Sequence, residues 1–382
     1  LNYLDLANQG NNSLKRYIAG IFTIIGCWLV GGALVDILFI IVLWLIKGIH
    51  TNIVALVSEP IVKYIMLNLV SLCLFIGVVI ATRYIHKRSV HSLITTEEYI
   101  NWRKLLIGFA IYGILALFGS LVEYFIEPNA FHLSLSFVNF IIFLPIALVV
   151  TLVQATGEEL VFRGYILQGL SRINRNPIIL SIISGILFTL PHINNPEVSA
   201  SPIQLLLYYF CFGFILALIT IKSNGLEIAI GAHTANNLIC ALIISYKNSV
   251  LPNVSSIIHT ERFNPTYNLI SFIVIALILY WILFNYLKLD KHARKVPVIQ
   301  LSTILDDMIA GGTITSDQRA AILYGLKTTK KIAKYQLYNQ LNELVMDKTL
   351  SEAEMKLILN SLPMQSNILL KINGENQPIS QP

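Results

Sequence analysis

Charge is scarce in this chain. Asp, Glu, Lys and Arg make up 13% of its 382 residues and 55% are hydrophobic, whereas soluble domains carry roughly 25% charged residues. That shortage excludes a soluble domain for most of the length. Cysteine is scarce too: Cys27, Cys73, Cys211 and Cys240 all lie inside apolar runs and none forms a Cys-x-x-Cys pair, so neither a disulfide framework nor a thiolate zinc site is indicated. The net charge of +6 is no nucleic-acid footprint, because most basic residues of the apolar part stand beside the ends of apolar runs, where they set orientation. The run Tyr17–Gly48 is too long for a cleaved signal peptide and ends in no small-residue cleavage site, so it reads as a retained span.

What charge there is falls unevenly. Of 48 charged residues, 20 lie in residues 290–382, which separates an apolar body, 1–289, from a soluble tail, 290–382. Apolar runs near the ~20 residues needed to span a bilayer recur through the body: Ile18–Leu45, Ile61–Ile85, Leu105–Ile126, Phe137–Leu170, Ile178–His192, Pro202–Ile221, Leu226–Tyr246 and Asn268–Leu287. The expected fold is therefore all-α, a polytopic membrane bundle of about eight transmembrane helices with a small α-helical cytoplasmic C-terminal tail. The fourth run is overlong and contains Pro145, which predicts a kink. The fifth is short, with a local break expected at Pro191. Lys and Arg concentrate in alternate loops (Lys15 and Arg16; Arg83 to Lys104; Arg172 and Arg175; Lys222; Lys288 to Lys295), while Glu127–Ser136 and Ile193–Ser201 have none. Lys47, Lys63, Lys247 and Arg262 run against this trend without reversing it, so the positive-inside rule puts both termini in the cytoplasm.

The tail repeats itself weakly. Leu305–Leu326 aligns without gaps on Leu341–Leu362, with helix starts at Thr315 and Ser351; the second has the spacing of a capping box. Two helical hairpins are expected, followed by a polar, disordered end from about Met364.

Three polar groups interrupt the apolar body. The first is Glu158-Glu159-x-x-x-Arg163; the second, Phe188-x-x-x-His192; the third, His233-x-x-x-Asn237. Charges at membrane depth cost at least ~2.5–3.5 kcal/mol on insertion scales and persist where they pair or do chemistry. On a helix Glu159 and Arg163 share a face, and Glu158 is turned roughly 100° from its neighbour, so one carboxylate can be neutralised while the other faces elsewhere. Counted from the cytoplasmic ends of their runs at ~1.5 Å per residue, Glu158, His192, His233 and Asn237 stand ~18, ~22, ~12 and ~18 Å deep, near the middle of a ~30 Å core. A carboxylate taken out of water is a stronger base, an imidazole beside it can share the same water, and a second imidazole with an amide can donate to a developing oxyanion. Separately, each piece also reads as structure: an ion pair, a helix-end histidine, interhelical hydrogen bonding. Asp36 and Glu123 stand in no motif and read as structural pairing or cavity lining.

At these residues the chain resembles the CPBP intramembrane proteases, the group named for CAAX processing and bacteriocin processing and also called Abi. The family pattern is EExxxR, then FxxxH, then HxxxN, carried here by Glu158, Glu159 and Arg163, by Phe188 and His192, and by His233 and Asn237, in that order. The resemblance covers about Pro145–Tyr246 and leaves the tail outside. It implies an eight-helix membrane endopeptidase in which Glu158 activates water with the help of His192, His233 and Asn237 form the oxyanion hole, and Glu159 and Arg163 shape the site. The cofactor is either none or a divalent metal such as Zn²⁺, held in that case by Glu158, His192 and His233. His-Glu-x-x-His, Gly-x-Ser-Gly and Gly-x-Gly-Asp, the marks of other intramembrane proteases, are absent.

The expected partners are the lipid bilayer and a peptide or protein substrate in or at the membrane, such as a prenylated CAAX-like tail or a bacteriocin precursor, with no nucleic acid. The tail is positioned to recruit a cytoplasmic partner. The expected location is a bacterial inner (plasma) membrane. Two other functions use the same residues differently: a non-catalytic membrane partner, serving as a bacteriocin self-immunity factor or sensor-kinase regulator, and a proton-coupled transporter, for which the body shows no repeated halves.

Overall fold

The computed structural model describes residues 2–290, 298–326, 331–362 and 369–371. They fall into two compact units: Asn2–Thr95 with Ile100–His292, and Thr96–Tyr99 with the described part of Ala293–Pro382.

The first unit is a helical bundle. Six of its helices are long and apolar enough to cross a membrane: α1 (Leu14–Lys47), α2 (Pro60–Ile85), α3 (Trp102–Ile126), α4 (Phe137–Leu170), α6 (Pro202–Ser223) and α8 (Pro265–Tyr286). Two shorter apolar helices, α5 (Pro177–His192) and α7 (Glu227–Ile243), complete the eight. Each expected span thus has its helix; the two short ones carry two of the three polar motifs, and α4 carries the other. Asn-Pro pairs set two of the starts. Asn176 accepts from the backbone N–H groups of Ile178 and Ile179 ahead of α5, and Asn264 from that of Tyr267 ahead of α8, each with proline next in line. The side chain takes up orphan donors of the first turn, and proline needs none there. At its far end α6 stops on Asn224, at φ 57°, the left-handed cap that asparagine tolerates.

Helix α4 continues as α-helix through Pro145 to Glu159, then widens into a π-helical stretch over Leu160–Ile166. The irregularity in this span therefore lies just after the paired glutamates. Helix α5 gives way to a 3₁₀ turn at Leu190–His192. Helix α7 ends at Ile243, and the last residues of the expected span, Ile244–Tyr246, form a strand instead. That strand, β2, belongs to a small sheet with β1 (Phe131–Leu133) and β3 (Ile258–Thr260) in the order β1-β3-β2, β1 antiparallel and β2 parallel to β3. Helical periodicity gives no warning of three-residue strands in loops.

Close backbone approach fixes α7 against α3. A Cβ on Gly108 would fall 2.3 Å from the Ile228 carbonyl oxygen, and one on Gly231 only 2.0 Å from that of Leu105. Small residues at such crossings let helices pack backbone to backbone, and this one sets the helix that carries His233.

At the opposite end from the strands, a 3₁₀ segment (Tyr3–Asn8) buries Tyr3, Leu4, Leu6 and Ala7. The Tyr3 hydroxyl reaches the backbone oxygens of Leu93 and Arg163, and Arg88 donates to the Leu6 carbonyl. Beside it His86, fully buried at the end of α2, bridges the Asn11 carbonyl (2.9 Å) and the Tyr165 hydroxyl of α4 (2.7 Å).

The second unit is described in its own right. It holds α9 (Leu301–Ala310), α10 (Ser316–Gly325), α11 (Lys334–Met346) and α12 (Glu352–Ser361). The repeat in the sequence is a repeat in structure. Leu305 and Leu341, Ile322 and Ile358, and Leu326 and Leu362 are all buried in one core. Thr315 with Gln318 and Ser351 with Glu354 form capping boxes at equivalent helix starts, and Gln318 donates to Glu354 at 3.1 Å, tying the two together. Three short strands, β4 (Val298–Gln300), β5 (Lys331–Ala333) and β6 (Leu369–Lys371), pair in the order β4-β6-β5. Of the end read as disordered, only Leu369–Lys371 is among the described residues, as a strand; the rest lies outside them.

His86 generates a pH prediction. Burial, with the Arg88 charge beside it, holds its pKa down from 6.5 to about 4. The folded state therefore favours the neutral ring, so stability is complete above pH ~6.5 and is lost as pH falls toward 4. The unfolding midpoint in detergent should drop between pH 7 and pH 5, and His86→Gln should flatten that slope.

Candidate active site

The three motifs meet at one cavity of about 590 Å³, lined among others by Glu158, His192, His233 and Asn237. Glu159 and Arg163 stand behind this wall. Asp36 and Glu123 take no part in the lining.

Arg163 anchors the arrangement from α4. Its guanidinium donates to Glu159 Oε1 at 2.8 Å, and both side chains are fully buried. It also reaches the Gly213 carbonyl of α6 at 3.4 Å and lies 4.3 Å from the centre of the Phe188 ring on α5. A buried arginine requires this company: a carboxylate for its charge, an acceptor for further N–H groups, an aromatic face for its plane. Glu159 Oε1 takes a second donor, His233 Nδ1, at 2.8 Å. Because the ion-paired carboxylate accepts, Nδ1 carries the proton, and Nε2 turns to the other glutamate, 3.8 Å from Glu158 Oε2. Phe212 packs edge-on against this imidazole, ring centres 5.0 Å apart.

Glu158 has no such ion pair. It is turned to the cavity, where Gln154, one turn earlier on α4, donates to its Oε1 at 3.1 Å. Gln154 in turn accepts from Asn237 Nδ2 at 3.2 Å, and Asn237 Oδ1 accepts from Asn236 Nδ2 at 3.0 Å. The chain starts from two hydroxyls, Tyr112 at 2.7 Å and Tyr208 at 3.1 Å, both donating to Asn236 Oδ1. Every amide is thus oriented the same way, with donors running toward the Glu158 carboxylate.

His192 is aimed by the end of its helix. Past Pro191 the helix stops, and the Phe188 carbonyl, one of the orphan acceptors every helix end leaves, takes His192 Nδ1 at 2.7 Å. A carbonyl only accepts, so Nδ1 holds the proton and Nε2 keeps its lone pair. The imidazole lies between two rings, Phe188 (centres 4.6 Å apart) and Tyr209 (4.3 Å, interplanar 29°).

All six residues singled out in the sequence are therefore gathered here, four on the cavity wall and two behind it. Sequence reasoning missed Gln154, Asn236, Tyr112, Tyr208, Tyr209 and Glu197. Gln154 was findable, being a polar residue in an apolar span four before Glu158; the tyrosines and Glu197 carried no spacing signal. The metal-ligand reading fares differently. Among the described residues no three His, Cys, Asp or Glu side chains come together to hold an ion. Glu158, His192 and His233 line the cavity without forming such a group.

Comparison with known proteins agrees with the motif. The sequence profile described as "Type II CAAX prenyl endopeptidase Rce1-like" matches residues 140–239. The chain is 32% identical over 290 residues to the uncharacterized protein YyaK of Bacillus subtilis (strain 168), an alignment covering 75% of this chain and 97% of the relative. No solved structure matches.

The buried pair predicts unequal costs. Glu159→Ala leaves the Arg163 charge buried without its partner and should lower stability by about 3–5 kcal/mol. Glu158→Gln, at the cavity surface, should change it by less than ~1 kcal/mol. Thermal unfolding of the two variants in detergent reads the difference.

Proposed function

The chain belongs to the CPBP family of Rce1-like membrane endopeptidases, and from that premise we propose that it hydrolyses a peptide bond of a membrane-borne peptide or protein substrate with water activated by Glu158 and His192. The observation that carries this reading is the division of labour between the two adjacent glutamates. Arg163 neutralises Glu159 at 2.8 Å, whereas Glu158 faces the cavity with one amide donor.

In this mechanism a water sits between Glu158 and the lone pair of His192 Nε2. Glu158 takes its proton as the oxygen attacks the carbonyl carbon. The developing oxyanion is met by donors from α7. Asn237 has a second N–H beyond the one given to Gln154. His233 can donate from Nε2 when that nitrogen carries a proton, and it stands beside Glu158, 3.8 Å from Oε2. Glu158 then returns its proton to the leaving amine. Donors fixed before the reaction are worth roughly 3 kcal/mol each, and here both belong to networks that hold them in place.

We further propose, from the loop charges, that both termini face the cytoplasm of a bacterial plasma membrane. The helical tail would then be available there to bind a protein partner.

The test is a screen of lipidated and transmembrane-anchored peptides in vesicles carrying the purified protein, with products mapped by mass spectrometry. Glu158→Gln and His192→Ala should each lower the cleavage rate by about 10²–10⁴-fold, the usual worth of a general base. Cleavage at the wild-type rate in either variant would remove the hydrolytic reading. A cellular phenotype that survives both substitutions would instead support a binding role for the same fold.

A further inference from the structure

We propose that Glu197 and Tyr209 are positioning residues for His192, holding its imidazole in the plane in which Nε2 meets the cavity. The proposal rests on the reading of His192 as part of the water-activating pair.

A single hydrogen bond does not orient an imidazole. The bond from Nδ1 to the Phe188 carbonyl fixes one edge but leaves the ring free to swing about that axis. Rotation stops only if both faces are held. Phe188 covers one face, and Tyr209 stacks on the other with centres 4.3 Å apart. Phe188 is itself fixed, since it lies over Arg163 and against Phe212. Tyr209 needs its own anchor, and its hydroxyl supplies one. It donates to Glu197 Oε1 at 2.7 Å and accepts from Asn195 Nδ2 at 2.9 Å.

Glu197 is almost fully buried, at 3% exposure, in the short 3₁₀ segment that follows α5. Its second oxygen accepts from the Val250 backbone N–H at 2.8 Å, and Asn195 adds a longer bond of 3.4 Å to the first. Among the described residues its carboxyl group meets hydrogen-bond donors and no Lys or Arg ion pair. Burying a carboxyl group is costly unless its oxygens are hydrogen-bonded, and here both accept, one of them from the Tyr209 hydroxyl. The expense is consistent with clamping one phenol in place. The clamp also ties the loop at Val250 to the imidazole through two side chains, so the segment between β2 and β3 is coupled to the site.

The experiment labels His192 with diethyl pyrocarbonate in the full-length protein in detergent, mapped by mass spectrometry against exposed His50 as internal standard. Tyr209→Leu removes the stacked ring and should raise relative labelling of His192 by about two- to tenfold, the range that ring pairs of this kind are worth. Tyr209→Phe and Glu197→Ala cut the same bond. Each should give a smaller rise, and the double variant should do no more than either alone. Glu197→Gln keeps one carbonyl acceptor and gives up the other, so its labelling should fall between wild type and Glu197→Ala, a graded response that separates loss of the clamp from loss of folding. On a peptide the wild type cleaves, Tyr209→Leu should lower kcat with KM unchanged. Labelling in Tyr209→Leu equal to wild type, additive effects of the two single variants, or an unchanged kcat would each overturn the proposal. A chain that cleaves no peptide but shows the labelling pattern would sink the peptidase reading and leave the positioning intact.

Discussion

The site depends on one buried ion pair. Arg163 and Glu159 are both sealed from solvent on the same helix, 2.8 Å apart, and almost every other element of the site is placed by reference to them. Phe188 lies over the guanidinium, and the carbonyl of that same residue aims His192. His233 hangs from the carboxylate by Nδ1. Three helices thus take their bearings from two side chains. Such a pair adds little to stability when compared with well-packed apolar residues, yet losing one partner is severe. Its contribution here is to fix which nitrogen of His233 carries the proton and which glutamate is left to face the cavity.

Around this centre, polarity is organised in lines rather than scattered. One line runs from two tyrosine hydroxyls through Asn236, Asn237 and Gln154 to Glu158. In a low-dielectric interior such chains polarise their members, and a broken link leaves unpaired polar groups. The bundle accommodates the lines by departing from regular helix. The π-helical stretch after Glu159, the 3₁₀ turn at His192 and the close crossing of α3 and α7 at Gly108 and Gly231 all lie next to side chains that line or back the cavity. Irregular turns inside helices occur often at such places.

Much of this was legible in the sequence, for a physical reason. Lipid penalises charge so heavily that Glu158, Glu159 and Arg163 stood out against an apolar background, and helical spacing alone assigned Glu159 rather than Glu158 to the arginine. The span pattern was readable because hydrophobic length is set by the bilayer. The repeat in the tail was readable because both copies conserve buried leucines and capping residues at the same offset. Other features had no such contrast. Tyrosine is ordinary in a membrane helix, so Tyr112, Tyr208 and Tyr209 gave no sign that they terminate polar chains. Glu197 stands in a loop, where acids are expected, and only the fold reveals that its own side chain is buried. The strands near Phe131, Ile244 and Ile258 are too short for periodicity to register. Glu158, His192 and His233 are of metal-binding type, but spacing along a chain says nothing about convergence on a point, and among the described residues they form no ligand cluster.

The polar line that ends on Glu158 makes its carboxylate asymmetric. One oxygen already receives the Gln154 amide, while the other faces His233 Nε2 across 3.8 Å. An amide cannot withdraw its hydrogen to make room, so the oxygen beside Gln154 has one acceptor position committed, and the other oxygen is the freer of the two to accept from a molecule in the cavity. The two oxygens of one carboxylate thus meet different surroundings, an amide of the same helix on one side and an imidazole of another helix on the other.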